Sequence, residues 1–189
     1  MNHFKTADNR ELYVNLFVPS TLDWQEMGVT LSQATNFPFE DTATLTLKGG
    51  GAFRIHVRVP EWTSEGFRIR INGEERHTDA LPGSYVTLDR DWHDGDRIEI
   101  KIPMSFHLMP LMDQPNIASI FFGPVLLAAE ESGARSTWRS VALAMDDLGK
   151  SITGDPSTLH FQVGDTRLKP FFEFYDQFHS VYLDIRPAN

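Results

Sequence analysis

Apolar and polar residues alternate along most of the chain. Phe53, Ile55, Val57 and Val59 are separated by Arg54, His56 and Arg58, the period-2 pattern of a strand with one face in a core and the other in water. Comparable runs cover residues 12–18, 29–34, 43–47, 67–71, 85–88 and 97–102. Turn-forming residues stand between many of them. Gly49-Gly50-Gly51, Asn72-Gly73, Pro82-Gly83-Ser84 and Asp94-Gly95-Asp96 supply positions that accept positive φ or pre-set a bend. Short strands spaced in this way predict an all-β fold, an antiparallel β-sandwich of jelly-roll type.

The pattern shifts in the last third of the chain. Residues 119–129 are almost continuously apolar, interrupted by Gly123-Pro124, and predict a buried strand. Residues 130–137 are polar and contain Gly133, after which the alternation restarts. That break predicts a sandwich domain over 1–130 and a smaller β-rich unit over 131–189. In the second unit, 159–163 and 181–185 predict strands and 146–150 a helical turn. A unit of about 60 residues has a marginal core, so it is expected to pack on the first.

Composition narrows the function classes. The 189 residues include 14 Phe, 4 Trp and 4 Tyr, ample apolar bulk for a core. The formal net charge is -9, with 17 basic residues scattered among 26 acidic ones, which argues against a nucleic-acid partner because a phosphate backbone requires clustered Lys and Arg. A neutral partner such as a glycan is compatible with this balance. No stretch reaches the roughly 18 apolar residues of a spanning helix, so no membrane partner is read, and the first ten residues show no apolar core of an export signal. The chain has no cysteine, which removes disulfides, thiol nucleophiles and thiolate zinc sites from it.

Local chemistry is sparse. The seven histidines, at 3, 56, 77, 93, 107, 160 and 179, show neither the i, i+2 nor the i, i+4 spacing that places two imidazoles on one metal, so no metal or other cofactor is expected. No Gly-x-Ser-x-Gly elbow is present, and Ser84 reads as part of a turn. The carboxylate pairs Glu130/Glu131 and Asp146/Asp147 are adjacent in sequence, so their members point in different directions and rarely converge on one substrate. Gly49 to Gly51 lacks the Lys-Ser/Thr of a phosphate cradle. Trp24, Trp62, Trp92 and Trp138 each stand beside polar or turn residues and are the candidate carbohydrate contacts, with core packing as the competing role. The segment from Lys169 to Tyr175, rich in aromatic residues, reads as packed on the core in preference to forming a docking surface.

Several segments in order resemble the region just downstream of the catalytic domain in β-L-arabinofuranosidase-type glycoside hydrolases, family 127 and its relatives. They are 11–20 with Trp24, Thr35-Asn36-Phe37-Pro38, Arg58-Val59-Pro60 with Trp62, Asn72-Gly73, Pro82-Gly83-Ser84-Tyr85, Trp92 with Asp94-Gly95-Asp96, Pro103-Met104, residues 122–128, and a tail over 160–183. In that family an (α/α)6 barrel carries a zinc-held cysteine nucleophile and a glutamate acid/base. Met1-Asn2-His3 is compared with a Glu-Asn-His stretch that lies after the cysteines in some relatives. None of the family's catalytic or zinc-binding residues maps onto this chain.

The resemblance implies a non-catalytic accessory module of a glycoside hydrolase acting on arabinofuranoside-type plant glycans, with the absent barrel as partner or self-association in its place. The parent family is often exported. Two alternatives remain: a stand-alone carbohydrate-binding module that uses exposed tryptophans, and a hydrolase built on carboxylates brought together by folding.

Overall fold

A computed structural model of the protein describes residues 3–5, 10–63 and 66–188, with side chains described from residue 10 onward. The chain divides into two compact units, the first ending at Pro103 and the second beginning at Met104. The division lies upstream of the boundary expected near residue 130. The polar stretch after residue 130 is instead a connection inside the second unit, between two strands of one sheet.

Unit 1 runs through β1 (His3–Lys5), β2 (Glu11–Val14), β3 (Ser20–Trp24), β4 (Val29–Thr35), β5 (Thr42–Lys48), β6 (Gly51–Arg58), β7 (Arg68–Ile71), β8 (Glu74–Arg76), β9 (Tyr85–Trp92) and β10 (Arg97–Lys101). Among the described residues these form a four-stranded sheet in the order β1-β2-β6-β9 and a six-stranded sheet in the order β3-β4-β5-β10-β7-β8. All pairings are antiparallel except β2 with β6. The expected sandwich is present: Leu12, Ile55 and Val86 from one sheet share a buried cluster with Leu31, Leu45 and Ile98 from the other.

Motif residues of unit 1 have structural work. Asn72 (φ 52°) and Gly73 (φ 85°) make the two-residue hairpin between β7 and β8, both in the left-handed region that this turn requires. The Asn72 amide then donates to Asp96 Oδ1 at 2.7 Å, while its carbonyl oxygen accepts from the Arg97 N–H at 2.9 Å. Burial works against the Asp96 charge, but the Asn72 amide, the His93 N–H and the nearby Arg90 guanidinium outweigh it and hold the carboxyl below its ordinary pKa. Asp94 caps the glycine loop by accepting from the Gly49 N–H at 2.8 Å.

Unit 2 runs through β11 (Phe106–Pro110), β12 (Ile117–Phe122), β13 (Val125–Glu130), β14 (Arg139–Leu143), β15 (Thr153–Asp155), β16 (His160–Val163), β17 (Thr166–Pro170), β18 (His179–Ser180) and β19 (Leu183–Pro187). They join one sheet, in the order β14-β19-β12-β13-β17-β16-β15, with β11 added on β12 and β18 on β13. The apolar run over 119–129 is not one strand but a hairpin that turns at Gly123-Pro124. The sheet curls round a core that holds Ile120, Leu127, Leu143, Phe161, Leu168 and Leu183. The expected helical turn is the 3-10 turn Leu148–Lys150, capped by Asp147, whose carboxylate accepts from the Gly149 N–H.

Gly154 shows how tightly this sheet closes at its edge. Its φ is +150°, and a Cβ there would lie 2.2 Å from the His160 carbonyl oxygen, so β15 and β16 must separate to admit a side chain. Gly154→Ala is expected to destabilise unit 2 by about 1–3 kcal/mol, read as a lowered midpoint in chemical denaturation.

Candidate functional site: an aromatic cleft in unit 2

The four tryptophans separate by environment. Trp24 and Trp92 are each only 1% exposed and flank Phe53, with ring centroids 5.2 and 6.1 Å from it. Neither offers a free face, so both are corrected from candidate sugar contacts to core residues; the physical reason is that they end β3 and β9 on the inward side. Trp62 is half-buried and stacks on Phe37 at 6.0 Å. Trp138 is different, with 49% of its surface exposed.

Trp138 lies at the end of the connection between β13 and β14, and it lines a cleft of about 470 Å³ with Arg135, Thr137, Phe178 and Tyr182. The Trp138 and Tyr182 rings meet nearly at right angles, with centroids 6.1 Å apart and an interplanar angle of 76°. Phe178 is exposed. Three aromatic side chains thus line one concavity, alongside the hydroxyls of Ser136 and Thr137.

Glu131 fixes this arrangement. Its side chain is 3% exposed and accepts two hydrogen bonds from Arg139, Nη2 to Oε2 at 2.6 Å and Nε to Oε1 at 2.8 Å. It also accepts from Arg135 Nη1 at 3.3 Å and from Ser180 Oγ at 2.9 Å. Its backbone N–H donates to the Phe178 carbonyl at 3.0 Å. One carboxylate therefore ties both ends of the connection and the β18 strand together, and through them positions Trp138, Phe178 and Tyr182.

That role is incompatible with acid catalysis. The Arg139 hydrogen bonds hold the Glu131 carboxyl below its ordinary pKa despite the opposing effect of burial, with smaller contributions from Ser180 and Arg135, so it carries no proton to donate near neutrality. Its neighbour Glu130 points elsewhere and pairs with Lys169 at 3.3 Å. Asp146 pairs with Lys150, and Asp147 caps the 3-10 turn. Neither adjacent pair converges. Ser84 Oγ donates to the Leu81 carbonyl inside its turn. Among the described residues, no three His, Asp or Glu side chains come together as a metal site.

Two further features stand outside the cleft. On the outward face of β2 and β6, the Tyr13 and His56 rings stack at 4.3 Å. Burial holds the His56 imidazole below its ordinary pKa, and its Nδ1 lies 3.0 Å from Thr87 Oγ1. The aromatic segment after Lys169 departs from expectation. Phe171, Phe172 and Tyr175 are exposed, because the chain leaves the sheet in a short 3-10 turn (Phe171–Glu173) none of whose residues is buried. Phe174 is held beneath Lys169 Nζ, 4.4 Å from its ring centroid.

Phe178 and Tyr182 are not among the contacts expected from the sequence. Both lie inside the tail over 160–183 that carries part of the family resemblance, and neither that likeness nor the density of aromatic residues there distinguishes core from cleft.

A family model described as "Beta-L-arabinofuranosidase, GH127 middle domain" matches residues 11–104. The chain carries a GH127 middle domain. This domain coincides with unit 1 almost end to end, and it includes the Asn72-Gly73, Trp92 and Asp94-Gly95-Asp96 motifs. Solved structures share the fold over nearly the whole chain, beyond the GH127 middle domain itself. Ara127N, a GH127 β-L-arabinofuranosidase from Geobacillus stearothermophilus T6, is 19% identical with a TM-score of 0.74, over 98% of this chain and 35% of that one. A structure described as a glycoside hydrolase is 20% identical with a TM-score of 0.72, over 93% and 36%. A GH127 β-arabinofuranosidase is 19% identical with a TM-score of 0.70, over 95% and 35%. The chain thus spans about a third of the length of these structures. No curated protein matches it by sequence. Met1 and Asn2, which begin the stretch compared with Glu-Asn-His, lie outside the described residues.

Proposed function

We propose that the chain is the non-catalytic β-module of a β-L-arabinofuranosidase-type glycoside hydrolase, whose chemistry on arabinofuranoside-type plant glycans belongs to a catalytic barrel outside this chain. The supporting observation is the match of residues 11–104 to the GH127 middle domain in a chain with no cysteine to serve as nucleophile or zinc thiolate. Its partner is the barrel. The exposed rings of Phe171, Phe172 and Tyr175 are the kind of apolar surface that such docking covers.

The reading predicts that purified chain releases no arabinose from a β-L-arabinofuranoside, with or without added zinc, at any pH between 5 and 8 at which it is folded. Release of sugar above the buffer blank, retained through a second purification step, would overturn it and redirect attention to the carboxylates of the fold.

A further inference from the structure

We propose that the Trp138 cleft of unit 2 is a binding site for a neutral oligosaccharide, with the indole of Trp138 as the stacking platform. The inference rests on the glycoside-hydrolase reading for its ligand class, but its geometry is independent of that reading.

A sugar ring has one face made of C–H groups and a perimeter of hydroxyls. It is recognised by an aromatic face that covers the C–H groups while polar atoms meet the perimeter. The cleft offers both. Trp138 is half exposed, although an indole of this size is ordinarily hidden. Tyr182 stands across it at 76°, so the two rings make a corner, one wall for the face of a ring and one for its edge. Phe178 extends the apolar lining. The Ser136 and Thr137 hydroxyls lie beside these rings and make no hydrogen bond within the described residues, which leaves them for ligand hydroxyls. The volume, about 470 Å³, falls in the range of small-ligand clefts.

Charge selects the neutral ligand. The carboxylate lining the cleft, Glu131, is consumed by Arg139, Arg135 and Ser180, and Arg135 is in turn engaged by Glu131. Among the lining residues the one carboxylate is therefore not free to draw a cationic ligand, and the overall charge of -9 disfavours polyanions. The same network makes the platform rigid, because both ends of the connection bearing Trp138 are tied to one buried carboxylate; a preorganised site loses less entropy on binding.

The test is a calorimetric titration of the full chain with neutral arabinose-containing oligosaccharides, with released sugar assayed in the same samples and tryptophan fluorescence followed in parallel. Saturable binding is expected, with a fluorescence change from the exposed indole. Trp138→Ala should weaken it by about tenfold or more, and Tyr182→Ala by less, as expected for a central aromatic anchor. Trp138→Phe should retain part of the affinity. Thermal midpoints of all three variants should stay close to that of the parent. Absence of binding to every oligosaccharide, or binding undiminished in Trp138→Ala, would overturn the site. Sugar release is a separate outcome, since it would overturn the non-catalytic reading while the Trp138 variants still decide the cleft.

Discussion

Trp92→Ala is expected to lower the stability of unit 1 by about 3–5 kcal/mol, the usual cost of deleting a large buried aromatic side chain. The ring is 1% exposed, lies 6.1 Å from Phe53 and carries the Arg90 guanidinium over its face at 5.1 Å. Its Nε1 donates to the Phe53 carbonyl at 2.9 Å. Alanine would leave a cavity between the sheets and remove this bond together. Trp92→Phe separates the two effects, since it keeps most of the volume and should cost about 1 kcal/mol for the bond with a further packing loss. Urea denaturation followed by far-ultraviolet circular dichroism measures both, and a change below about 1 kcal/mol in Trp92→Ala would show that the indole does not hold the two sheets together.

The contrast with Trp138 shows what strand parity can and cannot reveal. Trp92 is separated from Val86 and Leu88 by even numbers of residues, so in an extended strand it must share their inward face. Trp24 stands in the same relation to Leu22, which also packs against the core. Trp138 is odd-numbered from Val141, and the inward residues of β14 are Val141 and Leu143, which places position 138 out of phase with them. Parity thus accounts for the burial of two tryptophans and the exposure of the third once β3 and β9 have their observed bounds, but the runs read from the sequence include none over 20–24 and stop at residue 88, short of Trp92. Parity says nothing of Trp62, because Pro60 ends the strand before it.

The division of the chain was hidden for a different reason. Ile102-Pro103-Met104-Ser105-Phe106 crosses from one unit to the next without a glycine or a polar run, so nothing in its composition marks a boundary. The polar residues after 130 are conspicuous, yet they are a connection that a buried carboxylate holds inside one sheet. Glu131 illustrates the limit of pattern reading. Beside Glu130 it looks like half of a solvated pair, and only the approach of Arg139 and of Ser180, 49 positions away along the chain, gives it a site. The absence of catalytic cysteine, by contrast, needed no structure, because a residue count settles it.

Removal of the Glu131 carboxylate is the second large effect expected. Glu131→Ala leaves the Arg139 guanidinium, 21% exposed, without its bidentate partner and leaves the Ser180 hydroxyl without its acceptor. Breaking one side of a buried ion pair costs about 3–5 kcal/mol, and the partial exposure of Arg139 places the expected loss near the lower end, at about 3 kcal/mol. A double-mutant cycle with Arg139→Ala should show strong coupling, because either single change strands the other charge of the pair while the double change removes both. Stability should also depend on pH through this group. Its folded pKa is lowered, chiefly by Arg139, so its contribution is fully present above the unfolded glutamate value of about 4.3 and fades as pH falls through the folded value. Glu131→Gln should therefore flatten the acid limb of the stability curve relative to the parent chain. It should also loosen the connection that presents Trp138, so that oligosaccharide affinity falls in a variant whose altered side chain is buried among protein partners. Retained affinity alongside a full loss of stability would separate the two functions assigned to this carboxylate, leaving it a fold anchor with no hold on the cleft.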